Sequence, residues 1–234
     1  MFEQQVRAVV AETAKLDHDE FTAYSGGWKG YVGTALVDAV FSIRAKYQVK
    51  DPTKGVIGRL KTFNAKYPEA TNDLAVLAAV GEQDLAEIMG RTKTGGRTKA
   101  ACVIDAAEAL LALEPPIATA EDLAAADATK VKAAYTGVHG LGWVTCEYFQ
   151  MLLGAPGVKA DRMIVRFVNA ALAAEGMGPV DARTARELVV QAYAFEPRGE
   201  TLTHYEHAIW RAKGELAVDA EDPDPEQKGS DAIQ

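Results

Sequence analysis

Between Lys130 and Thr145 the sequence holds residue types with a use beyond packing. A short helix ends, Val138-His139-Gly140-Leu141-Gly142 follows, and a second helix begins at once. Glycine admits backbone angles barred to other residues, while Val138 and Leu141 have the spacing to pack between two helices. Glycines also leave N–H groups bare at the start of the second helix, where the positive end of the helix dipole favours an anion. Gly140, Gly142, Trp143 and Thr145 are therefore candidates for a grip on phosphate that ignores base sequence. The plain alternative is a helix–helix turn that contains two glycines. Downstream, Asp161 stands where a helix should start, ahead of the stripe Ile164, Val165, Val168, Ala171 and Leu172. The ordinary use of that position is an N-cap worth about 1 kcal/mol. A carboxylate held ionised there is also the fixed anion that N-glycosidic cleavage needs, because a departing base leaves positive charge on the sugar.

Other candidates surround these. Arg91, Lys93, Arg97 and Lys99 are the only charges between Met89 and Ile104, and they suit phosphate contact from the loop before a long helix. Chemistry on a base in duplex DNA requires the base to be rotated into a pocket, which Trp28, Tyr31, Phe41, Trp143 and Tyr148 have the side chains to line. Phe41 reads as core; Trp28, in the glycine-rich stretch 25–31, is least committed to a helix face and is the first choice to touch substrate or wedge into DNA. Glu147, two residues past Thr145, faces either a groove or solvent. His204 and His207 lack a third ligand at a matching spacing, so they read as packing with Trp210, and no metal site is expected.

Composition narrows the classes. The chain has 234 residues, 48% hydrophobic and 25% charged, which excludes wholesale disorder. No run approaches 18 apolar residues and the first twenty are rich in charge, so neither a membrane span nor a secretory signal is expected. Two cysteines, Cys102 and Cys146, cannot build a disulfide framework or hold an iron–sulfur cluster on four thiolates; a reduced cytoplasmic protein is expected. The net charge of −8 is unevenly placed: residues 214–234 carry seven acids against Lys228, which leaves −2 for the rest. Acidity at one end with a local basic patch inside the body leaves nucleic acid open as a partner.

Apolar residues recur at helical spacing almost everywhere, and no segment alternates with period two, so an all-α fold is expected. Helices are predicted within Tyr31–Tyr47, from Asp51-Pro52 through Phe63, around Leu74–Leu77 with Asn72 as cap, and around Leu85–Ile88. Gly95-Gly96 breaks the chain before a helix over Thr98–Leu113 that Pro115-Pro116 ends. Thr119 with Asp122 and Thr203 with Glu206 resemble capping boxes. Further helices are read at Thr129–Tyr135, Trp143–Leu153, Asp161–Ala174, Asp181–Phe195 and Thr203–Lys213, and residues 214–234 as an acidic, disordered tail.

Gly140-Leu141-Gly142, a helix, a Gly/Pro-rich loop and Asp161 together resemble the helix-hairpin-helix DNA glycosylases of the endonuclease III type, with Thr98–Leu113 similar to the helix that precedes the hairpin. The likeness covers about Tyr31–Lys213, and Gly140–Val168 is its specific part. It implies an all-helical, two-lobed fold with an interlobe cleft: a central lobe of 29–153 that includes the hairpin (129–153), and a second lobe of 1–28 with 154–213. It implies double-stranded DNA as partner, a monomer, and a cytoplasmic enzyme with Asp161 as catalytic anion. It also places Asp38, Ser42 and Arg44 on the helix beside the base pocket, with Trp28, Tyr31 and Glu147 as further pocket residues; an Asp–Ser–Arg surface network is the alternative. Two departures matter. Val144 occupies the position where bifunctional relatives carry a lysine nucleophile, so strand cleavage by β-elimination is not expected. Arg162-Met163 follows Asp161 where many relatives place a residue and then histidine. No cofactor is implied beyond room for a monovalent cation at the hairpin, and no iron–sulfur cluster. The expectation is a monofunctional N-glycosylase acting on an alkylated, deaminated, oxidised or hypermodified foreign base, the last as a phage-defence role. The rivals are an inactive DNA-binding relative and a helical interaction protein.

Overall fold

The computed structural model describes residues 1–24 and 26–217, with 213–217 given by backbone alone. The chain is mostly helical, as its apolar spacing requires. It divides into two compact units: residues 25–159, and Met1–Tyr24 together with the chain from Ala160 on.

The larger unit is organised around α2 (Val32–Phe41), every residue of which is buried. A helix apolar but for Thr34 and Asp38 must be covered on every face. α3 (Gly55–Lys66), α4 (Leu74–Met89), α5 (Lys99–Leu111) and α8 (Trp143–Leu152) pack against it. α6 (Ala120–Ala125) and α7 (Ala128–Gly137) complete the helices of this unit. The shared core runs through Leu36, Val40, Leu60, Phe63, Leu77, Leu85, Val103, Leu110 and Phe149.

The smaller unit packs α1 (Phe2–Thr13) against α9 (Arg162–Ala174) and α10 (Ala182–Phe195), with α11 (Leu202–Ala217) on α9. Met163, Ile164, Phe167, Val168, Ala171 and Leu172 form the buried stripe of α9, while Val165 is only half-buried. Tyr205 and Thr13 share a buried hydroxyl contact of 2.8 Å.

Several local expectations are corrected. Asp51-Pro52 does not open α3: Asp51 turns its carboxylate to the Thr53 amide and hydroxyl, and the helix begins at Gly55. Asp73, not Asn72, caps α4 by accepting from Ala75 N and Val76 N, while Asn72 Oδ1 accepts from Ala120 N at 2.9 Å. The two short helices expected over 74–88 are two arms of α4 that meet at a kink at Gly81 (φ 78°). The Thr119–Asp122 capping box is present, but α11 starts at Leu202, so Thr203 lies inside the helix. That helix also runs to Ala217, past the expected start of the tail; residues 218–234 of that expected tail lie outside the described residues. The larger unit extends beyond 29–153 because Trp28 N–H donates to Leu152 C=O (2.5 Å) and Val158 N–H to Glu147 Oε1 (3.0 Å). Among the described residues no helix is long and apolar enough to cross a membrane.

Candidate functional site

α7 ends at Gly137, Leu141 N–H closes a turn on Val138 C=O at 3.1 Å, and α8 begins at once. Val138 and Leu141 are each 7% exposed, the wedge between helices that their spacing predicted. The two glycines differ. Gly140 has φ 94°, and a Cβ there would lie 2.8 Å from Thr94 O, so only glycine fits. Gly142 is extended (φ −130°, ψ 175°), a conformation open to any residue, so the expectation of special angles at both is corrected to Gly140 alone. Gly142 is exposed as N-cap of α8, and Thr145 Oγ1 accepts from its N–H (3.2 Å) while donating to its C=O (2.8 Å). The first intrahelical bond runs from Cys146 N–H to Gly142 C=O, so Trp143, Val144 and Thr145 form the first turn, at the positive end of the helix.

A short β-hairpin braces this turn. β1 (Lys93–Thr94) and β2 (Arg97–Thr98) pair antiparallel across Gly95 (φ 57°) and Gly96 (φ 84°), both positive as the tight hairpin turn demands. Thr94 Oγ1–H donates to Gly140 C=O at 3.0 Å. His139 Nε2 lies 2.7 Å from Gly95 C=O; the carbonyl can only accept, so that nitrogen carries the proton. His139 C=O in turn lies 3.4 Å from Cys102 Sγ. His139 is thus an anchor of the hairpin that its sequence position alone does not reveal. The Gly-Gly dipeptide, taken above only as a break, was the available signal for the strands.

The four basic candidates separate. Arg91 and Lys93 are exposed beside the brace. Arg97 pairs with Asp105. Lys99 is corrected: it is 3% exposed, and its Nζ donates to the carbonyls of Phe41 (3.1 Å) and Ile43 (2.6 Å), so it ties α5 to the end of α2 and offers nothing to phosphate. Burial lowers its pKa to about 8.

The pocket candidates also part. Asp38 is fully buried in α2, and its Oδ2 accepts from Trp28 Nε1 (2.6 Å) and Tyr47 OH (2.7 Å). Burial pushes its carboxyl up; the two hydrogen bonds and the charge of Lys159 pull the other way. Its Oδ1 has no partner among the described residues. Lys159 Nζ lies 3.5 Å above the Tyr148 ring, and Glu147 receives the Val158 amide, so these groups gather around the loop after α8. Trp28 is therefore half-buried and tied down, not a loose loop aromatic. Ser42 bonds back to Ala39 C=O and Arg44 is exposed, so no Asp38–Ser42–Arg44 network forms; Tyr31 is 51% exposed and Phe41 is core.

Asp161 belongs to the smaller unit. Its Oδ1 accepts from Met163 N (2.8 Å) and Ile164 N (3.4 Å), and the residue is half-buried at the head of α9. Asp73 and Asp127 cap their helices in the same way. His204 meets Thr201 Oγ1 through Nδ1, and His207 packs edge-on to Trp210 with burial lowering its pKa to about 4. Among the described residues no cluster of histidine, cysteine or carboxylate could hold a metal ion.

The sequence profile of a family described as "Domain of unknown function (DUF8548)" matches residues 5–214. No curated protein and no solved structure matches the chain.

Proposed function

The chain belongs to the DUF8548 family, and we propose that it is a monofunctional DNA N-glycosylase of the helix-hairpin-helix kind. The observation that carries the reading is the turn at Gly140. It is a glycine-cornered bend between α7 and α8, braced by a second hairpin, and it precedes the N-cap Asp161 by a helix and a Gly/Pro-rich loop. Helix-start amides at Trp143–Thr145, with Arg91 and Lys93, hold a phosphate backbone without reading sequence. A base is rotated out of the stack and departs with the electron pair of its C1′–N bond. The positive charge left on the sugar is stabilised by Asp161, one oxygen of which is fixed by two amides while the other is left over. Water then adds to C1′, and its proton goes to the departing base. Val144 supplies no amine, so the product is an abasic site in an unbroken strand.

Asp161→Asn tests the reading, because asparagine caps a helix as well as aspartate and removes only the charge. Duplexes bearing alkylated, deaminated, oxidised or hypermodified bases are assayed for alkali-labile abasic sites. Wild type should yield product on one class, and Asp161→Asn at least about 100-fold less. Equal product from both proteins removes the assigned mechanism. The common capping geometry of Asp73, Asp127 and Asp161 favours a second reading, duplex binding without chemistry. Affinity that falls steeply with salt, and no product on any substrate, selects it.

A further inference from the structure

The segment from Arg44 to Lys66 holds Arg44, Lys46, Lys50, Lys54, Arg59, Lys61 and Lys66 against the single acid Asp51, in a chain whose net charge is −8. The backbone gathers these side chains. Val56 N–H donates to Lys46 C=O (3.3 Å) and Ile57 N–H to Tyr47 C=O (3.2 Å), which folds residues 46–53 over the first turn of α3. Gly55 turns there at φ 69°, where a Cβ would lie 2.9 Å from Tyr47 O. Lys54 is the N-cap of α3 and no acid occupies its first turn, so the positive end of the helix adds to the lysines where a carboxylate would ordinarily offset it.

Arg44, Lys46, Lys50, Lys54 and Lys61 are exposed, and among the described residues no ion pair joins Arg44, Lys46, Lys50 or Lys61 to a carboxylate. Lys54 meets Asp51 at 3.5 Å with both side chains largely in water, a pair too weak to hold it. Arg59 is excluded because it donates to Met89 C=O, and Lys66 because Tyr67, Asp84 and Glu87 surround it. Beside Lys61 runs an open groove of about 600 Å³ whose lining includes the exposed Thr53, Thr62 and Ala65, small side chains that let a backbone come close. Arg44, at one edge of the patch, follows directly on carbonyls held at the start of α5. Lys99, the first residue of α5, holds the carbonyls that precede Arg44, and Cys102, one turn on, meets His139.

We propose that Arg44, Lys46, Lys50, Lys54 and Lys61 form a second contact for the phosphate backbone of duplex DNA, which extends the track that begins at the Gly140 hairpin. The inference rests on the duplex-binding part of the function proposed above. Lysines on flexible stems bind phosphate as point charges, so the contact adds affinity and salt dependence but no sequence preference.

The test uses the full chain and an unmodified 30-base-pair duplex. Affinity is measured from about 0.1 to 0.4 M salt, where the long-range field is screened. Wild type is compared with Lys46→Gln/Lys50→Gln/Lys54→Gln/Lys61→Gln. Each lost phosphate contact lowers the slope of log K against log salt by about 0.9, so the quadruple variant should lose about 3.6 and bind at least tenfold more weakly at 0.1 M salt. Where the quadruple variant melts early, the four single substitutions carry the test at about 0.9 each. An unchanged slope beside normal wild-type binding overturns this contact and leaves the hairpin reading standing. Wild type that binds no duplex at low salt overturns both. Weakened binding to polyglutamate with duplex binding intact assigns the patch to an acidic protein and overturns the proposal.

Discussion

Trp28 donates its indole N–H to Oδ2 of Asp38 across 2.6 Å, joining a glycine-rich loop to a helix whose every residue is buried. Tyr47 donates to the same oxygen from the loop beyond α2. One carboxylate thus fixes both segments that flank α2. Asp38→Ala leaves two donors facing a low-dielectric interior, each costing about 1–3 kcal/mol. A loss of about 2–6 kcal/mol in urea unfolding is expected, with Trp28 fluorescence shifted toward that of an exposed indole.

Asp38→Asn separates the hydrogen bonds from the charge, since the amide oxygen can keep both donors. Burial raises the wild-type carboxyl above its ordinary value of 3.8. Between the unfolded and folded pKa values the native state binds the extra proton, so wild-type stability falls as pH rises through that window. The stability present below pH 3.8 is gone once pH exceeds the folded pKa. Unfolding free energies across pH 4–7 should therefore fall for wild type relative to Asp38→Asn. A difference that does not change with pH contradicts the buried, titrating carboxyl.

Lys99 has the opposite sign. Its pKa is lowered from 10.5 to about 8, so between those values the unfolded chain holds the proton and the native state does not. Wild-type stability should rise from pH 8 to 10.5, by up to about 3 kcal/mol. In Lys99→Met that rise disappears, while two carbonyls at the end of α2 lose their donor. The salt slope of duplex binding should not move, because this ammonium faces Phe41 and Ile43. A reduced slope would restore Lys99 to the phosphate track.

The helices were legible because their signals are local. A stripe such as Ile164, Val168, Ala171 and Leu172 needs only its own spacing, and Asp161 or Thr119 needs only the amides two or three residues on. What the sequence withheld depends on distant partners. Lys99 is buried because the carbonyls of Phe41 and Ile43 arrive beside it, from residues 58 and 56 positions away. The Asp38 cluster draws on Trp28, Tyr47 and Lys159 from three separate loops. Two-residue strands are too short to alternate, so β1 and β2 left only the trace of Gly95-Gly96. Of the hairpin, the wedge of Val138 and Leu141 was readable and the brace at Thr94 was not.

Charge in the sequence makes one further prediction. Residues 218–234 hold six acids and Lys228. Removing them takes the net charge from −8 to −3, with the basic patches no longer opposed by that charge. A chain truncated after Ala217, where α11 ends, should bind nonspecific duplex more tightly at low salt, with the gain vanishing above about 0.3 M. Equal affinity at low salt removes the shielding role.

The two hairpin glycines provide the sharpest separation of folding from binding. At Gly140 a Cβ would meet the Thr94 carbonyl at 2.8 Å, with φ at 94°. Gly140→Ala therefore strains the turn and pushes the β1–β2 brace away, at a cost of about 1–3 kcal/mol. At Gly142 a Cβ meets nothing within 4 Å and the backbone is already extended, so Gly142→Ala should leave stability within about 0.5 kcal/mol. The same methyl would stand beside the helix start to which the proposed function assigns a phosphate. Gly142→Ala should thus weaken duplex binding severalfold in a protein that melts like wild type. Full affinity in that variant would move the backbone contact off this helix start and onto the exposed bases alone.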